Sequence, residues 1–210
     1  MPPPQSTPGR DLRPELAALA IADPAAPWAA LGFAVADDRI ELGGVQLELG
    51  RPGAGICSWT LRHIAAGTST VDGLPTSPAT PSPVAPREQH PNGALGLDHV
   101  VITTPDFDRT ALALERAGLA LRRVRDAGGF RQGFRRLGPA IMEIVETPGR
   151  PSGPARFWGL VVVVADLEAL RERFGTHLGG ARPAVQPGRH IAALTATAGV
   201  SPKVAFMDPE

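Results

Sequence analysis

The chain has 210 residues, enough for one large or two small domains, and 43% of them are hydrophobic, which suits a packed core. Its 21 basic and 21 acidic residues balance, so the electrostatic footprint of a nucleic-acid binder is missing. A lone cysteine, Cys57, excludes an intramolecular disulfide and a cysteine zinc cluster.

Residues 1–14 are rich in proline, lack the apolar core of a signal peptide, and read as a disordered leader. No apolar run reaches the roughly 20 residues that cross a bilayer, so the expectation is a soluble cytoplasmic protein without a membrane or nucleic-acid partner. Residues 15–64 begin with an apolar run from Leu16 to Ala22 and a short helical stretch around Trp28. Then Arg39–Leu42 and Val45–Leu49 alternate apolar with polar around Gly43-Gly44, a hairpin signal. Gly55–Arg62 reads as a further strand. Between residues 65 and 95 Pro, Ser, Thr and Gly take over, and the composition predicts a linker and a domain boundary.

From residue 96 to 208 the pattern is strongest. Leu97–Thr104 is a strand with His99 near its start, and Asp106 or Asp108 caps the helix behind it. Gly118 ends that helix, and strands follow around Leu121–Arg125, Phe130–Leu137 and Ala140–Glu146. A second copy starts at Phe157–Val164, with glycine (Gly159) where the first has His99. Its helix covers 166–174, and strands are expected near Ala184, His190–Thr195 and Lys203–Met207. Leu42–Leu49 also lies over Leu137–Ile144, which brings Glu48 onto Glu143 and makes three copies of one module.

A tandem βαβββ unit that opens with Asp98-His99-Val100-Val101-Ile102-Thr103-Thr104-Pro105-Asp106 and closes on Ile141-Met142-Glu143-Ile144 resembles the vicinal oxygen chelate (VOC) superfamily. That group holds glyoxalase I, extradiol dioxygenases, methylmalonyl-CoA epimerase and bleomycin-resistance proteins. The His90-Pro91-Asn92-Gly93 turn makes the chain most similar to actinobacterial glyoxalase-like proteins. The resemblance is good over 97–208 and weaker over 16–62. It implies an α+β fold in which tandem modules form a cupped half-barrel of mixed sheet with the helices outside. It also implies metal ligands on the first and last strands of paired modules, which fall here on His99 and Glu143. The matching positions of the final module are Gly159 and Val204 or Ala205, and none can bind a metal. A divalent ion on two side chains should be weakly bound. Should the first and central modules pair instead, Glu48 would join as a third ligand.

Other candidates come from the residues themselves. Gln132, Phe134 and Arg136 share one strand face, and Arg136 with Arg189 suits an anionic substrate group. Trp158 precedes the vacant position, as a packing residue or a cavity wall. Arg122, Arg123, Arg125, Arg131 and Arg135 read mostly as solvated sheet residues. Two functions stand side by side. One is a glyoxalase-like lyase, isomerase or dioxygenase with Glu143 as base or ligand and His99 as ligand or electrostatic partner. The other is a metal-free protein that sequesters a drug or metabolite in the cup, with Gly159 and Ala205 making room for it. Module exchange between chains offers a route to a homodimer.

Overall fold

The computed structural model describes residues 13–80 and 88–210, so most of the expected leader and part of the expected linker lie outside the described residues. Two mixed sheets form. The N-terminal one holds β1 (Glu15–Ile21), β2 (Arg39–Leu42), β3 (Val45–Glu48), β4 (Ile56–Arg62), β5 (Thr70–Val71) and β6 (Leu74–Pro78), in the order β2-β3-β1-β4-β6-β5, with helix α1 (Ala25–Ala30) after β1. The C-terminal one starts with β7 (Ala94–Thr104), helix α2 (Phe107–Arg116), β8 (Arg123–Asp126), β9 (Arg131–Leu137) and β10 (Ala140–Glu146). It continues with β11 (Arg156–Val164), helix α3 (Leu167–Phe174), β12 (Arg182–Pro183), β13 (His190–Ala193) and β14 (Lys203–Met207).

The order of the C-terminal sheet is β12-β13-β14-β11-β7-β10-β9-β8, which is two βαβββ modules joined back to back at β7 and β11. Local chemistry repeats with the topology. Asp106 Oδ1 accepts from the Arg109 N–H at 3.0 Å and Asp166 Oδ1 from the Ala169 N–H at 2.9 Å, so each module starts its helix with the same cap. Asp106, and not Asp108, is therefore the cap of α2. Phe107, Thr110 and Leu114 form the buried face of α2, while Leu112 is exposed. Gly118, at φ 76°, turns the chain out of α2 in a conformation that glycine adopts without strain.

The N-terminal sheet is a reduced copy of the same plan. β1 runs parallel to β3 and antiparallel to β4, as β7 runs parallel to β10 and antiparallel to β11. The register confirms the alignment of Glu48 with Glu143, because Ala20 faces Glu48 as Val101 faces Glu143. β4 opens a second, helix-free half that β5 and β6 complete.

Its β5 and β6 lie inside the expected linker. Residues 70–78 do not hang free: β6 pairs in parallel with β4, and Val71 and Leu74 are buried. The turn between β5 and β6 is Asp72-Gly73, both with positive φ, a two-residue hairpin of the Asp-Gly kind. Asp72 then docks on α2, taking a hydrogen bond from Arg109 Nε at 2.8 Å and another from the Thr110 hydroxyl, while Ala155 N–H bonds its carbonyl at 3.0 Å. Two apolar residues and one aspartate suffice to order a segment whose average composition predicts a linker.

The two sheets share one continuous core. Trp59 of β4 meets Phe157 of β11 edge to face at 5.4 Å, and Phe33 stacks on Phe206 of β14. The His-Pro-Asn-Gly turn is a clasp between them. His90 Nδ1 accepts from the Ala34 N–H at 3.1 Å, so the proton sits on Nε2, which donates to the Glu41 carbonyl at 2.7 Å. Asn92 Nδ2 donates to the Leu31 carbonyl at 3.0 Å and its Oδ1 accepts from Ala94 N–H. These two side chains hold β7, and so its His99, in place against the N-terminal half.

Candidate functional site

The open face of the C-terminal sheet encloses a cavity of about 610 Å³, within the size range of small-molecule sites. Its floor is apolar, with Phe134, Ile141, Val161, Ile191 and Met207. His99 and Glu143 both line it. Glu143 pairs with Val101 and His99 with Ile141 in the parallel β7–β10 ladder, so the two are diagonal neighbours on one face. Strand spacing and rise put their Cα atoms about 8 Å apart, close enough for both side chains to reach one small ligand.

Glu143 is tethered and deprived of water. Gln132 Nε2 donates to Glu143 Oε1 at 2.8 Å, and Arg125 Nε donates to Gln132 Oε1 at 2.7 Å, which fixes the amide's orientation. Burial pushes the Glu143 carboxyl above the usual glutamate range, and the nearby His99 and Arg125 offset only part of that rise. A carboxylate whose proton affinity is raised in an apolar cup suits general base work.

His99 is braced from behind. It is 6% exposed, and its Nδ1 lies against Asp98 Oδ2; neither atom has another partner among the described residues. Consecutive strand residues normally point to opposite faces. Here β7 bulges: His99 faces Val161 and Leu97 faces Val162, so Asp98 is an extra residue without a partner on β11. Arg189 Nη2 holds the other oxygen of Asp98 at 3.1 Å and its Nε donates to the Asp208 carbonyl at 2.7 Å. Burial raises the Asp98 carboxyl, but the hydrogen bond and charge of His99, with Arg189, outweigh it and hold the group below the usual aspartate range. Asp98 is thus a charged orienting group for the imidazole, the arrangement that fixes a tautomer and sharpens its remaining nitrogen.

The final module carries the same bulge. Phe157 faces Ile102 and Gly159 faces Val101, which leaves Trp158 as the extra residue, in the position of Asp98. Trp158 is 52% exposed and does not line the cavity, so the expected wall role is not what the structure shows. Gly159 makes no room for a ligand either. A Cβ there would sit 2.3 Å from the Lys203 carbonyl oxygen, so close approach of β14 fills the space a side chain would need. The register identifies Ala205, facing Val161, as the counterpart of Glu143.

The other expected residues divide. Phe134 and Arg136 line the cavity, and Gln132 acts through Glu143. Arg189 does not reach the main cavity; it lines an adjoining one of about 320 Å³ that shares Arg136, Ile141 and Gln186 with it. Glu48 is not part of the site. It lies on β3 of the other sheet, bound to Arg51 at 2.8 Å. No group of three or more His, Cys, Asp or Glu side chains able to hold a metal occurs among the described residues. Two donors do not fit a resident divalent ion. Sequence reasoning missed Asp98, although its place before His99 was the available signal. It also missed the cavity roles of Arg123 and Arg182.

Two βαβββ modules curled around one cup define the vicinal oxygen chelate fold, and the chain has that fold. A mutant of 4-hydroxymandelate synthase from Streptomyces coelicolor is similar over 93% of this chain and 92% of its own, at 13% identity and a TM-score of 0.61. Methylmalonyl-CoA epimerase from Mycobacterium tuberculosis is similar over 56% of this chain and 90% of its own, at 19% identity and a TM-score of 0.47. Neither a protein-family model nor a curated protein sequence matches the chain. No helix among the described residues is long and apolar enough to cross a membrane.

Proposed function

We propose that the protein is a glyoxalase-like enzyme acting on a small molecule in the C-terminal cup, by proton transfer of the lyase or isomerase kind. The observation that carries this reading is that Glu143, with raised proton affinity, and His99, braced by ionised Asp98, line one cavity with an apolar floor. Glu143 takes a proton from carbon next to a carbonyl. In its imidazolium form, with Nδ1–H held by Asp98, His99 donates its Nε2–H to the carbonyl oxygen and supports the negative charge that develops there. Gln132 holds one carboxylate oxygen and leaves the other for the substrate. The modules pair within one chain, so the cup needs no second copy.

The apolar floor supports a second reading, a binding protein that sequesters its ligand without chemistry. Proton NMR in deuterated water separates the two, with enolisable carboxylated carbonyl compounds (pyruvate, oxaloacetate, acetoacetate) as probes. Enzyme-dependent loss of the proton signal next to the carbonyl supports proton transfer. Saturable binding without exchange supports sequestration.

A further inference from the structure

We propose that the mouth of the cup binds a group carrying two or more negative charges, so that the ligand is an apolar small molecule with a phosphate-type or polycarboxylate end. The inference rests on the cup being the ligand site and adds which class of ligand enters it. The chain has equal numbers of acidic and basic residues, yet the cavity is lined by six arginines and one carboxylate. Such segregation leaves a positive field that draws anions and that a bound anion would neutralise.

Two of these arginines are already engaged through their side chains, Arg125 and Arg135. Arg125 is bound to Gln132 and lies over the Phe134 ring. Arg135 pairs with Met142 and donates to the Ala120 carbonyl. Arg123, Arg136 and Arg182 have no ion-pair partner among the described residues. They face Phe134, Ile141 and Ile191 in their ladders, three residues of the cavity wall. Directly opposed residues of an antiparallel pair share a face. Arg123 and Arg182 belong to β8 and β12, the two edges of the eight-stranded sheet. Both line one cavity, so the curl of the sheet brings its edges to the same mouth, with Arg136 beside them. Guanidinium forks pair two oxygens each, which matches phosphate or several carboxylates better than one carboxylate. The apolar floor below then takes the body of the ligand, with its far end at Glu143 and His99.

The test is calorimetric titration of the full chain at low salt with pyrophosphate, citrate and acetate. Saturable binding of pyrophosphate, citrate or both supports the proposal, and the stronger of the two names the source of the charge. Arg123→Ala, Arg136→Ala and Arg182→Ala should each weaken that binding at least about tenfold. Arg150→Ala with Arg156→Ala, away from the cavity, should leave it unchanged. Binding that survives all three cavity substitutions, acetate binding as tight as the polyanions, or no saturable binding of either polyanion overturns the proposal. The exposed arginines carry little of the fold, and urea melts of each variant check this. Glu143→Gln should retain pyrophosphate binding, so failure of the proton-transfer reading and failure of the anion site are read separately.

Discussion

Asp98 and His99 meet side chain to side chain although they are consecutive residues of one strand, because β7 bulges at Asp98 where it pairs with β11. The bulge converts a neighbour in sequence into an orienting partner in space. Asp98→Asn keeps the shape and removes the charge. It should slow proton exchange by about ten- to a hundredfold while leaving ligand affinity near wild type. A loss of affinity with an unchanged rate would show that Asp98 serves packing and not His99. Acid stability supplies a second readout. The Asp98 carboxyl titrates below its unfolded value, so its stabilisation is present above that value and is lost as pH falls through the folded one. The urea-midpoint gap between wild type and Asp98→Asn should therefore close in strong acid.

Glu143 has the opposite sign. Burial raises its folded value, so the base is ionised only at higher pH, and exchange should rise with pH along a limb above the usual glutamate range. Arg125→Ala removes an opposing charge and should move that limb further up. For stability, a raised folded value favours the native state at low pH and disfavours it as pH rises through that value. Glu143→Gln should accordingly be more stable than wild type at neutral pH in urea denaturation, while losing exchange. A variant that is both inactive and less stable would place Glu143 among structural residues.

The clasp at the His-Pro-Asn-Gly turn has a stability cost that can be measured. His90→Ala leaves the Ala34 N–H and the Glu41 carbonyl without their partner. Urea denaturation should show a loss of about 1–3 kcal/mol for the unsatisfied groups. No loss would mean that water replaces the imidazole without penalty.

A histidine at the vacant position should not rebuild a metal site. Gly159→His places a Cβ against the Lys203 carbonyl, and destabilisation should exceed any gain in affinity. Titration of wild type with zinc or nickel should show weak binding that His99→Ala and Glu143→Ala abolish and Glu48→Gln leaves alone. Stoichiometric tight binding would contradict the two-donor geometry.

The C-terminal half was legible because its signals are periodic: the Pro/Ala-Asp caps, the long opening strand and the helix of the first module recur in the second. Register followed, and with it the placing of His99 and Glu143 on one face. The N-terminal half was harder to read. Its second module lacks a helix, and its last two strands hide in a Pro/Thr-rich stretch where only Val71-Asp72-Gly73-Leu74 carries a hairpin signal. Asp98 escaped notice because strand alternation assigns it to the other face, and bulges leave little trace in sequence. Trp158 was misread for the same reason. Arg136 was expected at the mouth, but Arg123 and Arg182 were missed, because alternation gives a residue a face but not the curl that brings β8 and β12 together.

Exchange in deuterated water, followed by proton NMR on wild type, Glu143→Gln, His99→Ala and Glu48→Gln with one active probe, tests the central claim most directly. The account predicts that Glu143→Gln and His99→Ala each lose at least about a hundredfold in rate, and that Glu48→Gln keeps the wild-type rate. Full exchange by Glu143→Gln, or its loss in Glu48→Gln alone, would contradict a proton-transfer site in the C-terminal cup.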